Sequence, residues 1–253
     1  MLAEFLLYLM TPASTHARKN GYLRASIDLW SLAHQCRASW LKHEQACHKI
    51  TLESIKRCTQ KRTVAVLGSG LLRDIPYKIL IDNFQHVLLI DVVHPLPSRI
   101  KTMFMKNITM LTLDLNGERV THPQAQSPLD FLYARDDLDL VISANVLSQL
   151  ALEPIQQMPD DASDAHINAL AARLIQAHYD DLKAFKCDVT LLTDTLMRTY
   201  DTSLSEPLIE EHDLLYSLKL PTPDQSWTWH IAPLGIEAKH TAREHTVCGY
   251  IRL

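Results

Sequence analysis

The run Thr63-Val-Ala-Val-Leu-Gly-Ser-Gly70 decides the fold. Its first five residues are apolar or β-branched, and two of only six glycines in 253 residues follow at once. A short run of this kind closed by glycine reads as a buried strand entering a tight turn. Val87-Leu-Leu-Ile-Asp91, Ile108-Thr-Met-Leu-Thr-Leu-Asp114 and Leu138-Asp-Leu-Val-Ile-Ser143 repeat the strand signal downstream, with room between them for helices or longer loops. Residues 162–186 then carry Ile167, Leu170, Leu174, His178 and Leu182 at helical spacing, and Val189-Thr-Leu-Leu-Thr193 follows. Strands alternating with helical stretches require crossover connections, hence a mainly parallel sheet. Ser226–Ile231 and Thr246–Ile251 have no room for a long helix between them and are expected to pair as an antiparallel hairpin. The segment 201–225, with Pro207, Pro221 and Pro223, reads as an inserted loop.

Upstream of this core, residues 1 to about 60 read as helical. Leu23, Ile27, Trp30, Arg37 and Leu41 fall near one face, which Leu29, Leu32, Cys36 and Trp40 widen. Pro12 separates a short first helix from this longer one, and a break near Thr51 precedes another short helix to Cys58. The organisation expected is a helical segment over 1–60, able to act as a lid, and an α/β domain over 61–253. Apolar residues at 47% and charged residues at 21% describe a globular chain. A net charge of −4 offers no chain-wide positive field for a nucleic-acid backbone. Five cysteines without a Cys-x-x-Cys pair suggest free thiols in a reducing compartment, and the apolar start lacks a basic region and a cleavage site. The expectation is a cytoplasmic protein without a membrane span; oligomeric state is not legible.

In an open parallel sheet, ligands bind beyond the carboxyl ends of the strands. Gly68-Ser69-Gly70 is expected to open a helix there and bring backbone N–H groups toward a ligand. Asp91, twenty-one residues beyond Gly70 at the end of the second strand, is placed to accept the hydroxyls of a ribose. A dinucleotide fingerprint wants a third glycine where Arg73 stands, which weakens an NAD reading. Asp74 reads as a first-turn helix acid stabilised by the helix dipole.

These features resemble the class I S-adenosylmethionine-dependent methyltransferases, over about residues 60 to 253. The resemblance implies an α/β fold: a Rossmann-like, seven-stranded, mainly parallel sheet with a C-terminal antiparallel hairpin. It implies S-adenosylmethionine as cofactor, with Gly68, Ser69 and Gly70 under its methionine portion and Asp91 on the ribose. Asp114 would face the adenine amine and Leu115 the ring, while Ser143, Ala144 and Asn145 would border both cofactor and substrate. Val66 stands where the family commonly has an acid, and Leu72 where a third glycine is frequent. The activity implied is methylation of a small molecule or a protein side chain. The alternatives are an NAD-binding oxidoreductase and a non-catalytic nucleoside-binding or scaffold protein of the same fold.

Methyl transfer needs alignment, a dry pocket and, for some acceptors, a base. Asn145, Asp194 and Tyr200 lie at the carboxyl ends of strands four and five and are the catalytic candidates, with His94 just past strand two. Asn145 is followed by Val146 and Leu147, not by the Pro-Pro-Tyr that methylation of DNA bases would suggest. Cys36, His43 and Cys47 share a helical face with His34, His48 and Cys58 nearby, but three in-line ligands do not close a tetrahedron, so packing is preferred to metal binding. In a lid, Tyr22 or Arg24 would come near the acceptor.

Overall fold

A computed structural model describes residues 2–253. Four helices open the chain: α1 (Leu2–Met10), α2 (Thr15–Lys19), α3 (Tyr22–Gln35) and α4 (Arg37–Arg57). The sheet strands are β1 (Thr63–Leu67), β2 (His86–Asp91), β3 (Ile108–Thr112), β4 (Leu138–Ala144), β5 (Asp188–Asp201), β6 (Leu208–Asp213), β7 (Gln225–Ala232) and β8 (Thr241–Tyr250). Between them run α5 (Tyr77–Asn83), α6 (Leu96–Thr102), α7 (Asp130–Tyr133), α8 (Leu152–Gln156) and α9 (Asp164–Lys183). The strand order is β3-β2-β1-β4-β5-β8-β7, parallel from β3 to β5 and antiparallel at β8 and β7. This is a Rossmann-like mixed sheet with the inverted C-terminal hairpin expected from the sequence. Among the described residues, no helix is long and apolar enough to cross a membrane.

The strand residues alternate between two cores. Val64, Val66, Leu89 and Ile142 pack with Leu80 and Phe84 on one face, and Ala65, Leu67, Ile90 and Val141 pack with Ile175 and Leu182 of α9 on the other. Burial on both faces explains why these strands are continuous apolar runs.

Several expectations need correction. The path β3-β2-β1-β4-β5-β8-β7 has the seven strands expected, but the segment expected as a loop contains an eighth, β6, which lies off that path and pairs with β5. β5 is 14 residues long: its first part pairs with β4, its second with β6, and β8 runs along its opposite edge. β6 is Leu-Ile-Glu-Glu-His-Asp and mostly exposed, so ladder bonds hold it, not a buried face. There is no break at Thr51; α4 is continuous, and the interruption lies at Cys36. Leu41 is exposed, whereas Trp40, His43, Cys47, Ile50 and Ser54 form the buried face of α4. The Gly68-Ser69-Gly70 turn does not open a helix: α5 begins only at Tyr77, after Pro76. Ile75 precedes that proline, a position that disfavours helical backbone.

α4 is fastened to the C-terminal hairpin. The Trp40 indole N–H donates to the Ile231 carbonyl at 2.9 Å, and its ring meets Trp229 edge-on at 4.9 Å. Ile50 sits so close to Gly249 that an added Cβ would fall 2.8 Å from its side chain. α2 and α3 continue from there over the carboxyl ends of β1–β3.

Candidate functional site

The turn after β1 is held from the neighbouring strand. Gly68 and Ser69 N–H both donate to the Ile90 carbonyl, and Gly70 N–H donates to Asp91 Oδ2 at 2.7 Å. The turn amides are therefore spent on β2 and are not offered to an anion, contrary to the expectation above. Their effect is to fix Asp91, whose Oδ1 also accepts from Val93 N–H at 3.2 Å. Burial raises the Asp91 pKa, outweighing these amides and nearby His94.

Asp91 lines a cavity of about 410 Å³ at the carboxyl edge of the sheet, within the usual ligand range of roughly 300–1,000 Å³. Asp114, just past β3, stands on the same wall; it accepts from Asn116 N–H at 2.9 Å and contacts His16 Nε2 of α2 at 2.8 Å. Tyr22 of α3 closes over it, and burial, then the Asp114 charge, push its phenol well above the ordinary range. Arg24, the other residue expected near the acceptor, is exposed and paired with Asp28.

At the centre of the site, Asn145 takes a left-handed conformation at φ 51°, which asparagine tolerates. Its Nδ2 donates to Asp74 Oδ2 at 2.8 Å, so the two loops that leave β1 and β4 are tied together. Asp74 is consequently a loop residue in a side-chain network, not the first-turn helix acid expected. His43 Nε2 lies 3.3 Å from Asp74 Oδ1, and the donor atoms of His43, Cys47 and Asp74 are within 4.8 Å of one another. Trp227 N–H donates to His43 Nδ1 at 3.1 Å, which leaves the ring proton on Nε2, facing Asp74. Burial, then the Asp74 charge, hold the Cys47 thiol well above its usual value.

The far end is built from β5 and β8. A register irregularity between Asp194 and Leu196 turns Asp194 toward His245, and Asp194 Oδ2 lies 2.6 Å from His245 Nδ1. Ser148 donates to the other carboxylate oxygen. Burial acts to raise the Asp194 pKa, but the His245 and Ser148 contacts outweigh it and hold the carboxyl below its ordinary value. Trp229, Ile231 and Met197 complete an apolar wall.

Of the residues singled out from sequence, Gly68, Gly70, Asp91, Asp114, Leu115, Ala144, Asn145 and Asp194 line this cavity. Ser69 is buried beneath the turn, and Ser143 faces His178 on the other side of the sheet at 3.2 Å. Tyr200 lies farther along β5, between β6 and β8, off the cavity wall. His94 is buried, its Nε2 3.1 Å from the Leu111 carbonyl. Sequence reading missed Glu153, Trp229 and His245; of these, only the alternation in β7 and β8 hinted that Trp229 and His245 point inward.

Fold and site together define a Rossmann-like α/β protein with an acid-lined cavity at the carboxyl edge of its sheet. No family model and no curated protein matches this chain. Among solved structures, it is similar to 1,6-didemethyltoxoflavin-N1-methyltransferase of Burkholderia thailandensis, with 1,6-didemethyltoxoflavin and S-adenosylhomocysteine bound, at 16% identity over 94% of this chain and 92% of that one, TM-score 0.40. It is similar to the N-methyltransferase NodS of Bradyrhizobium japonicum at 13% identity, over 79% and 85% of the two chains, TM-score 0.35. A third, phosphoethanolamine N-methyltransferase 1 of Haemonchus contortus, is 12% identical over 82% of this chain and 42% of that one, TM-score 0.36.

Proposed function

We propose that this protein is an S-adenosylmethionine-dependent methyltransferase acting on a small molecule. The observation that carries the reading is the charge of the cavity. Asp74, Asp91, Asp114, Glu153 and Asp194 all line it, while its two arginines are engaged: Arg73 Nε donates to Glu44 at 2.6 Å, and Arg243 pairs with Glu237. Such a lining favours a sulfonium cation and opposes a pyrophosphate, which would also find the turn amides spent and no helix beginning at the turn. NAD is disfavoured on the same grounds.

Asp91 would hold the ribose hydroxyls and Asp114 the adenine amine, with Leu115 against the ring. When bound, the cofactor supplies an electrophilic methyl group, and the C–S electron pair departs with the sulfur. The chain's part is to align the acceptor and exclude water: α3 roofs the cavity, and Leu29, Trp229 and Ile231 give it an apolar wall beside Asp194 and His245. Asn145 stands between the two ends and orients the acceptor.

Isothermal calorimetry with S-adenosylhomocysteine tests the assignment. The wild-type chain should bind, and Asp91→Ala should lose at least 100-fold in affinity while keeping its fold. Unchanged affinity in that variant would show that the ribose site lies elsewhere.

A further inference from the structure

We infer that His245 is the general base of this site, positioned by Asp194 and Ser148, and that the acceptor is a small molecule methylated on an oxygen or nitrogen that carries a proton. The inference rests on the methyl-transfer reading above and adds to it the acceptor's chemistry.

An ionised carboxylate only accepts hydrogen bonds, so Asp194 Oδ2, 2.6 Å from Nδ1, places the ring proton of His245 on Nδ1. The lone pair of a neutral ring then sits on Nε2. Ser148 occupies the second oxygen of Asp194, which leaves the carboxylate one orientation. The Trp229 ring meets the imidazole edge-on at 5.8 Å and 79° and limits its rotation. His245 is 8% exposed and lines the cavity, and its buried Nε2 has no hydrogen-bond partner. A buried acceptor without a partner requires a reason; His94 and His178 also leave a ring nitrogen unpaired, but neither lines the cavity. At His245 a substrate proton supplies that reason.

The other histidine at the site, His43, is its opposite. Trp227 donates to its Nδ1 and its Nε2–H faces Asp74, so both nitrogens are spoken for. Three Asp–His pairs thus stand around the cavity; the Nδ1 of His16, whose Nε2 meets Asp114, lies 3.0 Å from the Asn20 amide, so of the three only Asp194–His245 leaves a ring nitrogen without a partner. A tertiary amine or a thioether needs no base; an alcohol, phenol or ring N–H does. The enclosed volume and the α3 roof select a small molecule.

In the reaction, Nε2 takes the proton of the acceptor's X–H bond and the bonding pair stays on X. X then bonds to the methyl carbon as the C–S pair leaves with sulfur. The imidazolium is held against Asp194 until it passes its proton to water.

Long-range ¹H–¹⁵N spectra of the full chain at pH 9, above the usual histidine range, read the tautomer directly, with His245→Gln assigning the signal. Protonated Nδ1 and bare Nε2 are expected in the wild type, and Asp194→Asn should redistribute the proton. An Nε2–H tautomer in the wild type, or no change in Asp194→Asn, overturns the proposal. A second measurement uses S-adenosylmethionine with a labelled methyl group and two compound pools, one of hydroxy and N–H heteroaromatic compounds, the other of thioethers and tertiary amines. Label should enter the first pool, about 100-fold or more slowly with His245→Gln. Label confined to the second pool, or an unimpaired variant, contradicts the assignment. Calorimetry with S-adenosylhomocysteine separates the two claims. Equal binding by wild type and His245→Gln is expected, whereas no binding by either overturns the methyl-transfer reading and this inference with it.

Discussion

Gly68 shows how one residue can be dictated by its surroundings. Its φ is 77°, and a Cβ there would meet Val146 Cβ at 2.7 Å and the Ala144 carbonyl oxygen at 2.9 Å. Neither atom is the end of a flexible side chain, so Gly68→Ala should lose roughly 1–3 kcal/mol in urea unfolding. Stability within 0.5 kcal/mol, roughly the scatter of a neutral surface change, would show that the turn is looser than described. Gly68 and Asp91 were legible in sequence because each closes a strand whose apolar pattern is local. Asp74 was misread for an equally local reason: Pro76 delays the helix, so the acid belongs to a loop and meets Asn145 and His43 instead. His245 could not be recognised as Asp194's partner, because fifty-one residues and a register irregularity separate them.

Among the elements, α4 binds the amino-terminal helices to the sheet. Trp40 is 2% exposed, donates to Ile231 and packs against Trp229, which is itself a wall of the site. Trp40→Ala should cost roughly 3–5 kcal/mol by chemical denaturation, as large aromatic truncations in cores do. A loss under about 1 kcal/mol would mean that the hairpin and α4 are not one packed unit. The parallel strands were read correctly because burial on both faces writes an apolar run into the sequence. β6 left no such trace: its residues are polar and exposed, and only its ladder with β5 defines it. The continuity of α4 was also hidden, since its buried face at Thr51 and Ser54 is polar and reads as a break. Those groups are satisfied or enclosed by tertiary structure, as where Thr190 donates to Ser54 at 2.6 Å.

At the scale of the molecule, acid should act through His178, 1% exposed between α9 and the sheet. Burial pushes its pKa down to about 4, while the unfolded chain takes up a proton near 6.5. The unfolded state therefore binds more protons between these values, and stability falls as pH drops from 6.5 to 4, by about 3 kcal/mol. His178→Gln should flatten that part of the pH–stability curve; an equally steep curve would place the acid sensitivity elsewhere. The same body holds the acid-lined cavity on which the functional reading depends, since its charge distinguishes a sulfonium nucleoside from a dinucleotide. Thermal unfolding with each ligand is the most direct test. S-adenosylmethionine at about 100 times its Kd should stabilise the protein by ~2.7 kcal/mol and raise Tm by roughly 5–10 °C, while NAD leaves it unchanged. A rise with NAD and none with S-adenosylmethionine would contradict the account.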